Sequence, residues 1–124
     1  MKHEDVTEAI IGAFFEVYNS LGYGFLEKVY ENTLCAEFKL RGLSFVQQAP
    51  VKVKYRGQVV GEYFADLVVE NSVIVEVKAV RFLLAEHGAQ LLNYLKATKC
   101  EVGLLLNFGP KAKVVRKVYD NDSK

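Results

Sequence analysis

The chain has no tryptophan, one methionine, two prolines and only two cysteines among its 124 residues. Cys35 and Cys100 lie too far apart to suggest a disulfide framework, so we expect reduced core thiols of a cytoplasmic protein. No apolar run approaches the roughly 20 residues that a membrane-spanning helix needs. The polar start, Met1 to Asp5, is unlike a signal segment. The sequence therefore predicts a soluble intracellular protein with no membrane partner.

A strong excess of either charge is also lacking, because 16 Lys and Arg residues nearly balance 15 Asp and Glu residues. Proteins that coat nucleic acid are strongly basic, so the composition excludes that class. Phosphate contacts would have to come from local groups of basic residues. Ordinary solvated strand and loop faces explain the same residues at least as well, and the sequence leaves both alternatives open. The candidate groups are Lys52, Lys54 and Arg56 at one turn, and Lys111, Lys113, Arg116 and Lys117 near the C-terminus.

What the chain does have is 51% hydrophobic residues, enough for residues 1–124 to form one domain with its own core. Apolar spacing of three and four residues predicts helices over 4–20, from after the turn at 22–24 to about Arg41, and over about 84–97. Alternating or continuous apolar runs predict strands from Phe45 to Tyr55 and over 59–69, 73–79 and 101–108. Residues 113–119 are predicted to form a strand or short helix, and residues 120–124 to fray. The order indicates a mixed α/β sheet flanked by helices.

The second helix is expected to bury one stripe of side chains. Its apolar residues recur at three- and four-residue steps, which is typical of a helix packed on a sheet. The residues on or beside this predicted stripe are Leu26, Val29, Tyr30, Thr33, Leu34 and Glu37.

Three charged residues interrupt two predicted strands. Asp66 lies in the apolar run 63–69, and Glu76 and Lys78 lie in the run 73–79. Because free charges are costly in buried strands, these side chains need one another, a metal ion or water. Glu76 and Lys78 share one strand face. A three-residue loop over 70–72 would place Asp66 opposite Glu76 on that face, whereas a two-residue turn would place it on the other. A shared site therefore requires the longer loop, with Asn71 able to adopt a left-handed conformation.

Two facing carboxylates repel each other, and a hard cation such as Mg²⁺ or Mn²⁺ relieves that repulsion. Such an ion stabilises charge on a phosphoryl oxygen, and Lys78 on the same face is placed to do the same. A buried ion network without catalysis explains this strand pair about equally well. The two strands alone leave both interpretations open.

The whole chain resembles the PD-(D/E)xK nuclease superfamily, and most closely its small bacterial GxxExxY family in the RecB-like branch. Residues 24–30 spell the Gly-x-x-Glu-x-x-Tyr motif, and Asp66 and the segment Glu76-Val77-Lys78 follow in the expected order. Ala65 stands where the superfamily has the proline that names it. The resemblance implies a restriction-endonuclease-like core, α-β-β-β-α-β, here with an extra N-terminal helix and a C-terminal strand or short helix.

The resemblance also implies roles for single residues. Asp66, Glu76 and the Val77 carbonyl would bind Mg²⁺ or Mn²⁺, Lys78 would be the catalytic lysine, and Glu27 would complete the metal site. A glutamate favoured by the helix dipole explains Glu27 as well.

Further implied residues lie on the third and second helices. Gln90 and Tyr94 match the Gln-x-x-x-Tyr element and share one helix face, with Gln90 in the catalytic set. His87 either faces the same cleft or is a partly exposed histidine at the helix start, and the second is favoured. Tyr30 and Tyr23 are expected mainly to pack.

The function implied by this resemblance is metal-dependent hydrolysis of nucleic-acid phosphodiester bonds, with DNA favoured and 5′-phosphate ends as products. The alternative is a nuclease-fold module with little or no activity that binds nucleic acid or a protein. A structural protein with an internal salt network is a third interpretation. Because the chain carries no appended DNA-reading domain, a homodimer or a targeting partner would extend the surface that contacts substrate.

Overall fold

The computed structural model describes residues 2–124 as one five-stranded sheet with helices on both faces. The predicted mixed α/β fold is confirmed, and the C-terminal element is a strand. The elements are α1 (Glu4–Leu21), α2 (Glu27–Leu40), β1 (Phe45–Tyr55), β2 (Gln58–Val69), β3 (Val73–Lys78), α3 (Ala85–Ala97), β4 (Val102–Phe108), β5 (Ala112–Val118) and a 3₁₀ turn (Asn121–Ser123).

The strands lie in the order β1-β2-β3-β4-β5, and only β3 and β4 are parallel. Parallel neighbours need a crossover connection, which α3 provides. The continuous apolar run of β4 is fully buried, as predicted for a strand covered on both faces. This arrangement brings the carboxyl ends of β3 and β4 to the same edge of the sheet.

The core has two layers, one on each face of the sheet. One layer packs α1 and α2 against alternate residues of β3 and β4, including Val75 and Leu104. The other packs α3 against Ile74 and Leu105. Both cysteines are buried free thiols, and burial raises the pKa of each. The expectation of unpaired core cysteines is confirmed.

The β1–β2 hairpin twists from one core layer to the other. Phe45 and Leu67 pack in the layer of α1 and α2, whereas Val51 and Ala65, further along the hairpin, pack in the layer of α3. The change occurs at Gln48, whose φ of 54° is left-handed. A left-handed residue interrupts the extended backbone of the strand, although the pairing with β2 keeps its register on both sides of Gln48. Beyond this point the hairpin therefore packs over α3. Asp66 lies between Leu67 and Ala65, where β2 passes from one core layer to the other.

The predicted buried stripe of α2 was right at Tyr30 and Leu34 and wrong at its start. Leu26 precedes the helix and is 79% exposed, and Val29 is also exposed. The helix begins at Glu27, so the stripe should not have been counted from Leu26. The residues that α2 buries are Tyr30, Glu31, Leu34, Cys35 and Phe38.

The prediction that residues 120–124 fray was also wrong. The Lys124 ammonium donates hydrogen bonds to the Thr98 and Cys100 carbonyls at 2.7 and 2.8 Å. The Asn121 amide N–H donates to Glu101 at 2.7 Å. These contacts hold the end of the chain against the α3–β4 connection. None of the helices in residues 2–124 combines the length and apolarity required to cross a membrane.

Candidate active site

Strands β2 and β3 separate at Asp66 and Glu76. Their ladder runs from Val69–Val73 to Leu67–Val75, so the connection is the predicted three-residue loop and the next positions in register are Asp66 and Glu76. Asn71 is left-handed, with φ of 52°, as expected. Beyond the ladder, the Asp66 amide donates to Glu76 Oε1 at 3.0 Å, and the Val77 amide donates to Asp66 Oδ2 at 2.8 Å. Both carboxylates therefore lie in the gap between the strands, which we call the fork.

Glu76 is the electrostatically unusual residue of the fork. It is only 5% exposed, and burial, followed by the adjacent Asp66 charge, raises the pKa of its carboxyl to about 8. Without a cation, Glu76 therefore holds a proton at neutral pH. A group with a strongly raised pKa beside a second carboxylate is typical of a functional site.

The donor atoms of the fork suit a hard divalent cation. Each carboxylate uses one oxygen on a backbone amide, and the second oxygen of Asp66 accepts only a long hydrogen bond from Gln48, at 3.3 Å. The Val77 carbonyl points to the same side as the Val77 amide, because both backbone groups of a strand residue face one neighbour. Oxygen donors of this kind are those that Mg²⁺ prefers. Within residues 2–124, however, no three His, Cys, Asp or Glu side chains lie close enough together to bind one metal ion. Glu27 is therefore not positioned here as a third side-chain ligand beside Asp66 and Glu76.

Glu27 lies at the edge of the fork. It is the first residue of α2. Desolvation of its carboxyl is the main cause that raises its pKa, with a smaller contribution from the Asp66 charge, while Lys78 opposes the shift. The structure thus brings Glu27 within electrostatic reach of Asp66 and Lys78. Its role as a ligand stays a prediction.

A buried glutamate beside the fork was not foreseen from the sequence. Glu31 is 2% exposed and accepts hydrogen bonds from Lys28 at 3.0 Å, Gln47 at 2.6 Å and Gln48 at 3.1 Å. The Gln48 amide also donates to Asp66 Oδ1 at 3.3 Å. The left-handed Gln48 therefore links Glu31 to Asp66. Strained residues of this kind often occur at functional sites.

The predicted residues of α3 also lie near the fork. The Gln90 amide donates to the Tyr94 hydroxyl at 3.1 Å, so the two share one helix face as expected. Tyr94 is buried, and burial, then the charges of Glu76 and Asp66, raises the pKa of its hydroxyl. His87 Nδ1 accepts the Leu84 amide at 3.1 Å and caps the helix, in agreement with the favoured interpretation.

The two tyrosines near α2 have different surroundings. Tyr30 is fully buried, stacks on Phe108 at 4.4 Å, and donates to the Gly22 carbonyl at 2.6 Å. It packs as expected and fixes the loop that leads to Glu27. Tyr23 is 58% exposed, so the expectation that it packs was wrong.

Asn107 holds the backbone that follows Lys78. It is buried, and its side chain accepts the Val80 amide at 3.0 Å and donates to the Val80 carbonyl at 2.9 Å. Gly109 leaves room for this contact, since a Cβ there would lie 2.2 Å from the Val80 carbonyl oxygen. The two residues together fix the carboxyl end of β3.

We expect Gly109→Ala to destabilise the protein by about 1–3 kcal/mol, because the backbone around Val80 must shift to admit the methyl group. Denaturant unfolding measures the change. Gly12→Ala is the matched control, since its Cβ would meet only the flexible end of Arg41 at 3.0 Å. Inside α1, this substitution should stabilise by roughly 0.5–1 kcal/mol. Equal effects at the two positions would contradict the prediction.

Two residues of each predicted basic group line a groove, whereas Arg56, Arg116 and Lys117 line neither of the two grooves. Lys52 and Lys54 line a groove of about 780 Å³ between β1 and α3, together with Lys96. Lys111 and Lys113 line another of about 530 Å³, together with Arg81. Phosphate contact by either group stays a prediction.

Comparison with known proteins places this geometry in a family. Comparison with curated proteins gives no match. A crystal structure of SSO0001 is similar in fold, with a TM-score of 0.59 and 19% sequence identity over 75% of this chain and 50% of that chain. The chain thus spans half the length of that protein, and the likeness shows the fold alone. The family model of the PD-(D/E)XK nuclease superfamily matches residues 4–118, and the chain therefore belongs to that superfamily.

Proposed function

We propose that this protein is a divalent-metal-dependent nuclease that hydrolyses phosphodiester bonds in nucleic acid, with DNA as the favoured substrate. The observation that carries the proposal is the fork, in which Asp66 and Glu76 face each other beside Lys78 on one sheet face. The superfamily membership supports nuclease-type chemistry. The Gly24–Tyr30 motif and the Gln90–Tyr94 pair support assignment to the GxxExxY family in the RecB-like branch.

In this proposal Asp66, Glu76 and the Val77 carbonyl hold Mg²⁺ or Mn²⁺, with Glu27 at the open side of the site. When bound, such an ion supplies Lewis-acid stabilisation of a phosphoryl oxygen and makes water a better nucleophile. The positive charge of a bound ion would also favour the ionised form of Glu76, which keeps its proton when no ion is bound.

The other side chains act on the substrate directly or position those that do. The Lys78 ammonium contacts a phosphoryl oxygen and stabilises the negative charge that grows there. Gln90, hydrogen-bonded to Tyr94, orients a phosphate oxygen or a water at the fork. Gln48 and Glu31 keep the Asp66 carboxylate in place.

The proposal is tested with a panel of single-stranded, duplex and branched DNA and RNA substrates, incubated with Mg²⁺ or Mn²⁺. We expect cleavage of at least one substrate, lost in chelator and in Asp66→Ala. Cleavage that persists in Asp66→Ala would identify a contaminant. Calorimetry with Mg²⁺ and Mn²⁺ adds a second readout. No ion uptake dependent on Asp66 and Glu76 would favour the alternative, a nuclease-fold module that binds without cutting.

A further inference from the structure

A groove beside the fork combines free cations with an exposed aromatic ring. It has a volume of about 530 Å³, and its lining includes Arg81, Phe82, Lys111 and Lys113. No acidic side chain lines it. The ion pairs found within residues 2–124 involve none of these cations. We call it the Phe82 groove.

The Phe82 groove and Lys78 lie on the same face of the sheet. Lys78 is the register partner of Asn107 on β4, and Asn107 is the partner of Lys113 on β5. The three side chains therefore lie on one face of three neighbouring strands. With strands about 4.8 Å apart, Lys113 is roughly 10 Å from Lys78 along the sheet. Phosphates next to one that contacts Lys78 would be within reach of Lys113.

Phe82 gives the groove a second chemical property. Its side chain is 74% exposed, in the segment that directly follows β3. An exposed ring between cations matches the pattern by which proteins hold single strands, with bases stacked on aromatic rings and phosphates on basic side chains. Bases inside a duplex are stacked on each other and are not available to such a ring.

We propose that the Phe82 groove binds an unpaired nucleotide next to the scissile phosphate, so that single-stranded nucleic acid is the preferred ligand. Arg81, Lys111 and Lys113 contact the phosphates, and Phe82 stacks on one base. This inference rests on the proposed nuclease function and adds the structural class of the substrate.

Binding is measured by fluorescence anisotropy with a labelled oligothymidylate and a blunt duplex of equal length. In this binding assay all proteins carry Lys78→Met, which slows cleavage of either probe. Phe82→Ala should weaken single-strand binding at least fivefold and leave duplex binding unchanged. Arg81→Ala and Lys113→Ala should weaken binding of both probes and lower the salt dependence, by about 0.7 in the slope for each lost single-strand phosphate contact.

Two control substitutions are available at the far end of α2. Lys39 and Leu40 are exposed and lie roughly 20 Å from Glu27 along the helix. Lys39→Ala removes a charge, as Arg81→Ala and Lys113→Ala do. Leu40→Ala removes an exposed apolar side chain, as Phe82→Ala does. We expect neither control substitution to change the affinity for either probe. Melting temperatures verify that every variant is folded.

The outcomes separate this inference from the proposed function. If Phe82→Ala binds single strands like the Leu40→Ala control and, in proteins that retain Lys78, also cuts them like that control, the inference fails and the nuclease proposal stands. A stronger affinity for duplex, unaffected by Phe82→Ala, overturns the inference as well. If single-strand binding depends on Phe82 but no nucleic acid is cut, the inference holds and the nuclease proposal fails.

Discussion

Lys78→Met should reduce nuclease activity by about 10²–10³-fold, the cost usually measured when one preorganised stabiliser of transition-state charge is removed. Methionine keeps most of the length of the side chain and removes only the ammonium group. Because Lys78 is half-buried at the end of β3 and belongs to no salt bridge within residues 2–124, its loss breaks no ion pair. The measurement is the single-turnover cleavage rate with saturating enzyme.

The same variant should still bind metal ion and nucleic acid, so the loss should appear in the rate and not in affinity. Lys39→Met, at the exposed far end of α2, is the matched control and should cut at the wild-type rate. Lys78→Arg keeps the charge in a planar, bulkier group and should recover only part of the activity. A Lys78→Met rate within fivefold of the wild type would exclude the lysine from catalysis.

The fold could be predicted largely because its signals are local. Continuous apolar runs predicted β3 and β4, and the helical spacing of the segment between them predicted α3. The three-residue loop before Val73 followed from the requirement that Asp66 and Glu76 share a face, and the register confirms it. The start of the buried stripe of α2 was predicted wrongly, because Leu26 has the spacing of a helix residue but lies just outside the helix.

The site was only partly predictable, because some of its contacts join distant parts of the chain. Asp66, Glu76 and Lys78 were visible as charges within apolar strands. Glu31 has the appearance of an ordinary solvated helix glutamate, and its burial depends on Gln47 and Gln48 arriving from β1. The left-handed Gln48 also gives no local signal, since glutamine is not a residue that favours this conformation. Gln48 lies on β1, the strand next to the one that carries Asp66, and only the folded sheet shows this proximity.

The free energy of unfolding of the metal-free protein should fall as pH rises from about 4.5 to about 8, by several kcal/mol from Glu76 alone. The folded carboxyl has a pKa raised to about 8, mainly by burial, whereas the unfolded chain releases the proton near pH 4.5. Between these values the folded state binds more protons than the unfolded state, so stability is greatest below the unfolded pKa. It is lost progressively up to the folded pKa and is constant above it.

Glu76→Gln should remove this part of the pH dependence, because the amide keeps an oxygen that accepts the Asp66 amide and cannot ionise. Urea unfolding at several pH values in chelator measures the slope for both proteins, with the exposed Glu62→Gln on β2 as control. Adding Mg²⁺ at pH 8 should stabilise the wild type by about 2–3 kcal/mol at a hundredfold excess over its dissociation constant, and Glu76→Gln much less. Parallel pH profiles for wild type and Glu76→Gln would show that Glu76 ionises normally in the fork, and the two carboxylates would then not need a cation between them.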